Sequence, residues 1–535
     1  MLKRLFSTLL LFSFLSACAS STPPTPAPTP QAAATPKATQ PKRDWWRTAV
    51  FYEIFVRSFY DTDGNGIGDF NGVAAKLDYL QELGVTAIWL MPIHPSPSYH
   101  GYDVLNYYAV NPQYGSMEDF KNLLAEAHKR DMRIIIDLVI NHTSSQHPWF
   151  RDADTNLDSA YRNFYVWADS PGAGSWHQGQ NGYYYGFFWS GMPDLNYTNP
   201  AVTDAMYKIN DYWLNEIGVD GFRIDAVKHL IEQDGKLENT SLTHEWLREY
   251  YKTYKAANPS AYTIGEVYGA GSSVVKQYTG TELDHIFNFE MAAGIMGSVN
   301  GGANSGITSA VKFAQMDTPD YNYATFLTNH DQNRVMSVFN GDVDKAKVAS
   351  FLMLTLPGTP YIYYGEEIGM QGRKPDEDIR LPMQWNADKF AGFSNVEPWR
   401  ALPADYTQVN VAAQTGDPAS LLEHYRTLIQ LRKSHPTLQT ADITLLDAGN
   451  SGIFATLRAD SNGTYIVLAN LTGEAVTDYQ LDLGDAELAE SIVGVGMLFG
   501  EGQAQVLEGS GGAFNPYQPF ESLNPYAMAI IKLNP

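Results

Sequence analysis

Between residues 50 and 440 the chain repeats one unit. A short, almost wholly apolar run is followed by a stretch with apolar positions at helical spacing. The runs are "VFYEIFVRSF", "VTAIWLMPI", "RIIIDLVINH", "VDGFRIDAV", "YTIGEVY", "HIFNFE", "ATFLTNHD" and "TPYIYYGEE". Helical spacing is read over 70–83, 117–130, 203–217 and Leu421–Ser434. Strands without polar alternation are covered on both faces, as in a parallel sheet wrapped by helices. Eight such units predict a closed (β/α)8 barrel, not an open sheet. The expected fold class is α/β, with this barrel spanning 44–440. An inserted domain at 143–200, rich in Trp, Tyr, Gly and Asn, follows strand three. After 441 the texture changes to alternation with turns, as in "GIFATLRADSNGTYIVLANLT", which predicts an antiparallel β-sandwich domain over 441–535.

The fourth run contains a puzzle. Arg223 and Asp225 stand two apart among apolar neighbours, and a bare charge is expensive there. Either they neutralise each other or the strand ends in a working site. Other runs carry polar residues at the same end: Asn141 and His142 in the third, Glu266 in the fifth, His330 and Asp331 in the seventh. In such a barrel the C-terminal strand ends hold the chemistry. Asp225, Glu266 and Asp331 are then expected to converge on one pocket.

In this order, "DLVINH", "GFRIDAVKH", "GEVY" and "FLTNHDQNR" resemble the conserved regions of the α-amylase family of glycoside hydrolases. "MPDLN" at 192–196 resembles a further family marker. The resemblance covers about residue 44 to the C-terminus. It implies Asp225 as nucleophile and Glu266 as general acid/base of a retaining hydrolysis, with Asp331 binding sugar hydroxyls and helping to distort the ring. The chemistry needs one carboxylic acid and one carboxylate, about 5–5.5 Å apart when configuration is retained. Arg223 is placed to keep Asp225 ionised, and the apolar neighbours of Glu266 should raise its pKa. By the same resemblance His142 and His330 donate to the sugar at the cleavage point. Tyr102 stacks on that sugar and Asp103 holds its outer hydroxyls. Arg334 is a candidate partner for Asp103, a pair that would wall off one end of the cleft. Lys228 and His229 contact the leaving-group side.

"DTDGNGIGD" at 61–69 alternates hard oxygen ligands: Asp61, Asp63, Asn65, the Ile67 carbonyl and Asp69. It is not an EF-hand, since its twelfth position is Gly72 and not Glu. A calcium loop and a metal-free Asp/Asn/Gly turn are both open on this pattern. The resemblance favours calcium, because the oligo-1,6-glucosidase branch carries a similar loop that binds it. Asn141 also matches a calcium ligand of many amylases.

For the substrate, Ala226 follows the proposed nucleophile. Relatives cutting α-1,6 bonds tend to carry Val there, and a small residue goes with α-1,4. "MPDLN" is similar to a group intermediate between oligo-1,6-glucosidases and neopullulanases, which includes lipid-anchored amylases. "IRLPMQWNADKFAGFS" resembles the oligo-1,6-glucosidases instead. The expected activity is cleavage of internal α-1,4 bonds of starch and maltooligosaccharides. An exo-acting α-glucosidase, a cyclomaltodextrinase-like enzyme and a non-catalytic sugar-binding lipoprotein are the alternatives.

Lys3 and Arg4 precede an apolar run at 5–15, and "LSAC" ends at Cys18, the only cysteine. This reads as a secretory signal at 1–18. It resembles a lipoprotein signal that leaves Cys18 as the lipidated first residue. The Pro/Thr/Ala-rich stretch 19–43 is expected to be an extended tether. The protein is expected outside the cytoplasm, lipid-anchored to a bacterial membrane, and monomeric. The net charge of -23 argues against a nucleic-acid partner.

Overall fold

The computed structural model describes residues 44–172, 174–318, 320–484, 494–507, 509–510, 513–514 and 516–534. The expected leader with Cys18 and the tether at 19–43 lie outside the described residues. No helix among the described residues is long and apolar enough to cross a membrane.

Eight parallel strands close into a barrel. They are β1 (Phe51–Ile54), β2 (Ala87–Leu90), β3 (Arg133–Leu138), β4 (Gly221–Ile224), β5 (Tyr262–Gly265), β6 (His285–Phe287), β7 (Tyr323–Thr325) and β8 (Thr359–Tyr363). Each pairs with its sequence neighbours, and β1 closes the ring against both β2 and β8. Every predicted run supplies one strand.

Period-2 geometry explains why the runs are apolar throughout. Phe51, Ala87, Trp89, Ile135, Tyr262, Ile264, Phe287, Ala324 and Tyr361 form one buried cluster, the barrel interior. Their alternates Tyr52, Ile54, Ile88, Leu90, Ile134, Ile136, Phe222 and Ile224 join a second cluster under the surrounding helices. Phe51 stacks on its register partner Tyr361 of the neighbouring strand β8 at 4.3 Å. Gly221 lets β4 approach β5, since a Cβ there would lie 2.0 Å from the Tyr262 carbonyl oxygen.

The helices depart from simple periodicity in two places. The expected helix 70–83 is two, Phe70–Ala75 and Leu77–Leu83, broken at Lys76. The Lys76 ammonium sits over the rings of Tyr60 (4.1 Å) and Trp385 (4.2 Å). The helix expected at 203–217 starts at Pro200 behind an Asn199 cap and ends in a π-turn, Tyr212–Ile217. Within that turn the Trp213 indole N–H donates to the Tyr107 carbonyl at 2.7 Å.

The insertion carries a small sheet of Trp167–Ala168, Tyr183–Tyr185 and Trp176–Gln178. Beyond the helix Leu421–Ser434 comes an antiparallel sheet of β9 (Asp442–Leu446), β10 (Ile453–Asp460), β11 (Gly463–Asn470), β12 (Gly494–Phe499) and β13 (Met528–Asn534), in the order β9-β10-β11-β13-β12. Its alternation is regular enough to split the strands by face. Phe454, Tyr465, Val467, Ala469 and Ile530 face the barrel's helical layer. Ile453, Ala455, Leu457, Ile466, Leu468, Ile531 and Leu533 form a separate core. Among the described residues that core is closed by irregular segments with isolated bridges, Val476↔Leu523 and Leu481↔Tyr517, so the sandwich's second layer has little regular strand.

Candidate active site

The inward register positions at the C-terminal end of the barrel are polar. Glu53 follows Phe51 inward on β1, Asp137 follows Ile135 on β3, and Arg223 stands beside Asp137 in the β3–β4 register. Asp225 and Glu266 lie immediately past β4 and β5. β7 is only three residues long, so His330 and Asp331 sit on the loop beyond it.

Arg223 is buried and joins three carboxyl groups. One terminal nitrogen donates to Asp137 Oδ1 (2.9 Å) and Asp225 Oδ1 (2.6 Å), and the other to Glu266 Oε2 (2.9 Å). The planar fork fixes where both carboxyl groups of the expected pair sit. Tyr102 hydroxyl bonds Asp137 Oδ2 (3.1 Å) and His330 Nε2 (2.7 Å), and its ring lies parallel to the His330 ring. His330 also contacts Glu53 through Nδ1 (2.5 Å) and Asp331 through Nε2 (3.1 Å). Arg380 completes the wall, donating from Nε to the His330 carbonyl and from its terminal nitrogen to Asp331 Oδ1, both at 2.9 Å.

Five carboxyl groups thus meet three cations. Burial pushes Glu266 up; Arg223 opposes this, and the charges of Asp225 and Asp331 push it further up. Burial likewise lifts Asp225 against the pull of Arg223. Asp137 is lifted by burial, against Arg223, to about 7. Asp331 goes the other way: burial is outweighed by His330 and Arg380, which hold it below the usual carboxylate range. Burial disfavours a charge on His330, but Asp331 and Glu53 raise it to about 9, an imidazolium at neutral pH. Burial thus raises both Asp225 and Glu266, so Arg223 does not by itself hold Asp225 low as expected, while Asp331 is the carboxyl group that its cations keep ionised.

The other expected residues divide. His142 donates from Nε2 to the Tyr102 carbonyl (3.1 Å) and is kept neutral by burial, at about 4. Lys228 pairs with Glu238 at 2.6 Å, and Phe187 stacks on His229 at 4.0 Å. Asp103 accepts from the hydroxyls of Ser96 (2.6 Å) and Ser98. Arg334 is a correction. It is buried behind β8, donating to the carbonyls of Ile379 (2.8 Å) and Tyr364 (2.7 Å), with its guanidinium over Tyr363 and Tyr364. Carbonyls take its Nε and one terminal nitrogen there, and it does not pair with Asp103. The arginine beside Asp331 is Arg380, in the quoted "IRLPMQW", whose role the sequence pattern left unassigned. Asp137 and Glu53 were also missed. Their signal was the inward alternation of β3 and β1.

Two oxygen clusters have the chemistry of cation sites. Asp61, Asp63 and Asp69 each bring a carboxylate oxygen within 4.8 Å of the others. Asp61 accepts the N–H groups of Gly64 and Gly66, both at 2.8 Å, and Asn65 Oδ1 accepts that of Ile67 at 2.7 Å, so the loop is wound around its own side chains. Gly66, at φ +85°, passes so close to Glu397 that a Cβ would lie 2.5 Å from its carbonyl oxygen. Burial, then its acidic neighbours, raise Asp63, whereas the Ser394 hydroxyl and the loop N–H groups hold Asp61 low against burial. Hard oxygen donors of this kind suit Ca2+. In the second cluster Asn141 Oδ1, Asp194 Oδ2 and Glu232 Oε1 are buried acceptors without a hydrogen-bond donor among the described residues. Burial, then the charge of Glu232, raises Asp194.

A family model described as "Alpha amylase, catalytic domain" matches residues 53–441. The chain belongs to the α-amylase family of glycoside hydrolases. Among its relatives, α-amylase 3 of Dictyoglomus thermophilum is 43% identical over 420 residues, 77% of this chain and 82% of that protein. An oligo-1,6-glucosidase of Halalkalibacterium halodurans is 32% identical over 518 residues, covering 82% and 92%. The crystal structure of an α-amylase from H. orenii superposes with a TM-score of 0.79 at 37% identity, over 91% of this chain and 99% of that one. Relatives in this family thus carry both α-amylase and glucosidase names.

Proposed function

We propose that the protein is a retaining α-amylase that cleaves internal α-1,4-glucosidic bonds of starch and maltooligosaccharides. Asp225 attacks the anomeric carbon as Glu266 gives its proton to the departing glycosidic oxygen. Glu266 then takes a proton from water, which displaces Asp225 and restores both groups. Asp331, held ionised by His330 and Arg380, binds ring hydroxyls. The observation that carries this reading is the Arg223 fork, with Asp225 on one terminal nitrogen and Glu266 on the other. Endo action is supported by the missing Asp103–Arg334 wall and by higher identity to the relative named α-amylase (43%) than to the one named oligo-1,6-glucosidase (32%). Ala226 supports α-1,4 linkage. The rival exo reading draws on the Arg380–Asp376 pair (3.1 Å) beside Asp331, which narrows that side. Early products from soluble starch decide: mixed oligosaccharides uphold endo cleavage, and glucose alone refutes it. Asp225→Asn should abolish hydrolysis with an unchanged melting temperature; retained activity removes Asp225 from its role.

The same reading gives calcium a structural place, with Asp61, Asp63, Asn65, Asp69 and the Ile67 carbonyl as its ligands in the 61–69 loop, and Asn141 and Asp194 as ligands in the second cluster. Chelation should lower the melting temperature, and added Ca2+ should restore it. A tethered enzyme lipidated at Cys18 fits a polymer too large to enter a cell. Cys18→Ser should then release activity from the membrane fraction.

A further inference from the structure

Asp331 is the carboxylate that binds sugar hydroxyls in the proposed reaction, and its side chain is 44% exposed. Packing alone does not fix such a group, and a binding group must be held within about 0.5 Å of its working place. Two cations fix it, His330 and Arg380. His330 is locked in turn by Glu53 and Tyr102. What braces Arg380 comes from another part of the chain. Its carbonyl accepts from the Ser58 hydroxyl at 2.6 Å, and Ser58 Oγ accepts from the Trp399 indole N–H at 3.0 Å. The Trp399 ring also stacks on Tyr99, with centroids 5.5 Å apart and 26° between planes. The Arg380 guanidinium lies 5.8 Å from the centre of that same Tyr99 ring. Trp399 thus meets Arg380 twice through one intermediary each, its backbone through Ser58 and its guanidinium through Tyr99.

The indole is itself held firmly. Phe55 meets it edge-on at 6.0 Å, and the Arg57 guanidinium lies over it at 5.6 Å. Its backbone N–H donates to the Gly66 carbonyl at 2.9 Å. That bond is one of three that seat the segment 393–399 on the acidic loop 61–69. The Asp61 N–H donates to the Phe393 carbonyl at 3.0 Å, and the Ser394 hydroxyl donates to Asp61 Oδ2 at 2.5 Å. The close approach of Gly66 to Glu397 leaves little slack between the two segments. The residue after Trp399 acts on the same turn of chain. Arg400 pairs with Asp378 at 2.6 Å, in the helix Asp376–Ile379 that leads into Arg380. Packing needs only the ring of Trp399. It does not need the indole N–H placed on the one hydroxyl that holds the Arg380 backbone.

We propose that Trp399 is a positioning residue for the reaction: it sets Arg380 and through it Asp331, and it ties that setting to the 61–69 loop. The inference rests on Asp331 binding sugar hydroxyls in the proposed reaction. Kinetics of the full chain on a nitrophenyl maltotrioside test it. Trp399→Phe keeps an aromatic ring and loses the N–H. It should lower kcat about two- to tenfold, the scale of one hydrogen bond. KM should stay nearly unchanged, because a displaced Asp331 loses binding to the transition state. In an Arg380→Ala background the same substitution should cost nothing further. Equal losses in both backgrounds make Trp399 merely structural and overturn the proposal, as does an undiminished kcat in Trp399→Phe. Ser58→Ala cuts the path in its middle, so it should match Trp399→Phe, and the double variant should be no slower than either. Losses that multiply overturn the path, even where Arg380→Ala is too slow to measure. Gly66→Ala presses on Glu397 from the loop and should give the same fall in kcat; an unchanged kcat there overturns the tie to the loop. Failure of the underlying reading shows separately, as an Asp331→Asn variant that keeps the unmutated kcat.

Discussion

At Arg223 three buried carboxyl groups share one guanidinium, and burial raises all three against its pull. Glu266 is raised by burial and by its acidic neighbours, so it is suited to give a proton to a poor leaving group. Glu266→Gln should lower kcat on maltooligosaccharides by about 10²–10⁴. An activated aryl glycoside, whose leaving group needs no proton, should still undergo the first step and show a burst of released aglycone. Equal loss on both substrates would remove Glu266 from the acid role. His330 makes the pH prediction. Its folded value of about 9 lies above the ordinary 6.5. The folded state then binds more protons than the unfolded state between these values. The stabilisation is complete below about 6.5 and is lost as pH rises through 9. His330→Gln should flatten the fall in stability across that window, measured by denaturant midpoints at pH 6, 7.5 and 9. The three expected carboxylates were legible because each follows an apolar strand. Arg334 was misread and Arg380 left unassigned because both lie further along loops, where distance from the strand end no longer indicates which way a side chain points.

Ala226 shows how an element boundary does chemical work. It leaves β4 in the left-handed region (φ 49°, ψ 34°), and its N–H then points to Glu266 Oε2 at 3.3 Å. A non-glycine residue there costs about 1–2 kcal/mol, and a β-branched one more. Ala226→Val should destabilise the protein by roughly 1–3 kcal/mol and reduce kcat, because relief of the strain turns the N–H away from Glu266. Ala226→Gly should keep both. A valine variant with the unmutated protein's melting temperature and kcat would refute the coupling. Element existence was legible throughout the barrel because both faces of each strand are buried. Boundaries were not. Lys76 breaks a helix through contacts with Tyr60 and Trp385, and Trp385 lies more than three hundred residues away. No local spacing encodes such a contact. The insertion offered no periodicity to read, yet it supplies Asp194 to the buried oxygen cluster.

The whole molecule is joined by two arginines that have no carboxylate partner among the described residues. Arg458, on β10, is fully buried. It donates to the carbonyls of Thr355, Ala441 (2.8 Å) and Thr437 (3.3 Å). Thr355 ends the helix Val343–Thr355, and Thr437 belongs to Pro436–Thr440. A helix C-terminus leaves carbonyls without donors and carries partial negative charge, and a guanidinium answers both. Arg432 does the same from the barrel side, reaching Leu354, Leu356, Leu438 and Gly358. The alternating face of the C-terminal sheet, Phe454 through Ile530, covers the same helices. The sequence showed that alternation, but not that its apolar face belongs to the barrel's core. The sheet is therefore part of the barrel's fold and not an appended module. Arg458→Met should cost roughly 2–4 kcal/mol, since one or two carbonyls lose their donors at about 1–3 kcal/mol each. Unfolding should stay a single transition at a lower denaturant midpoint, followed by fluorescence and far-UV dichroism together. Arg458→Lys should recover only part of the loss, because a point charge cannot span carbonyls from separate helices. If the sheet of Arg458→Met melted first and left an active barrel behind, the two parts would be independent folding units and the seam would not be what holds the molecule together.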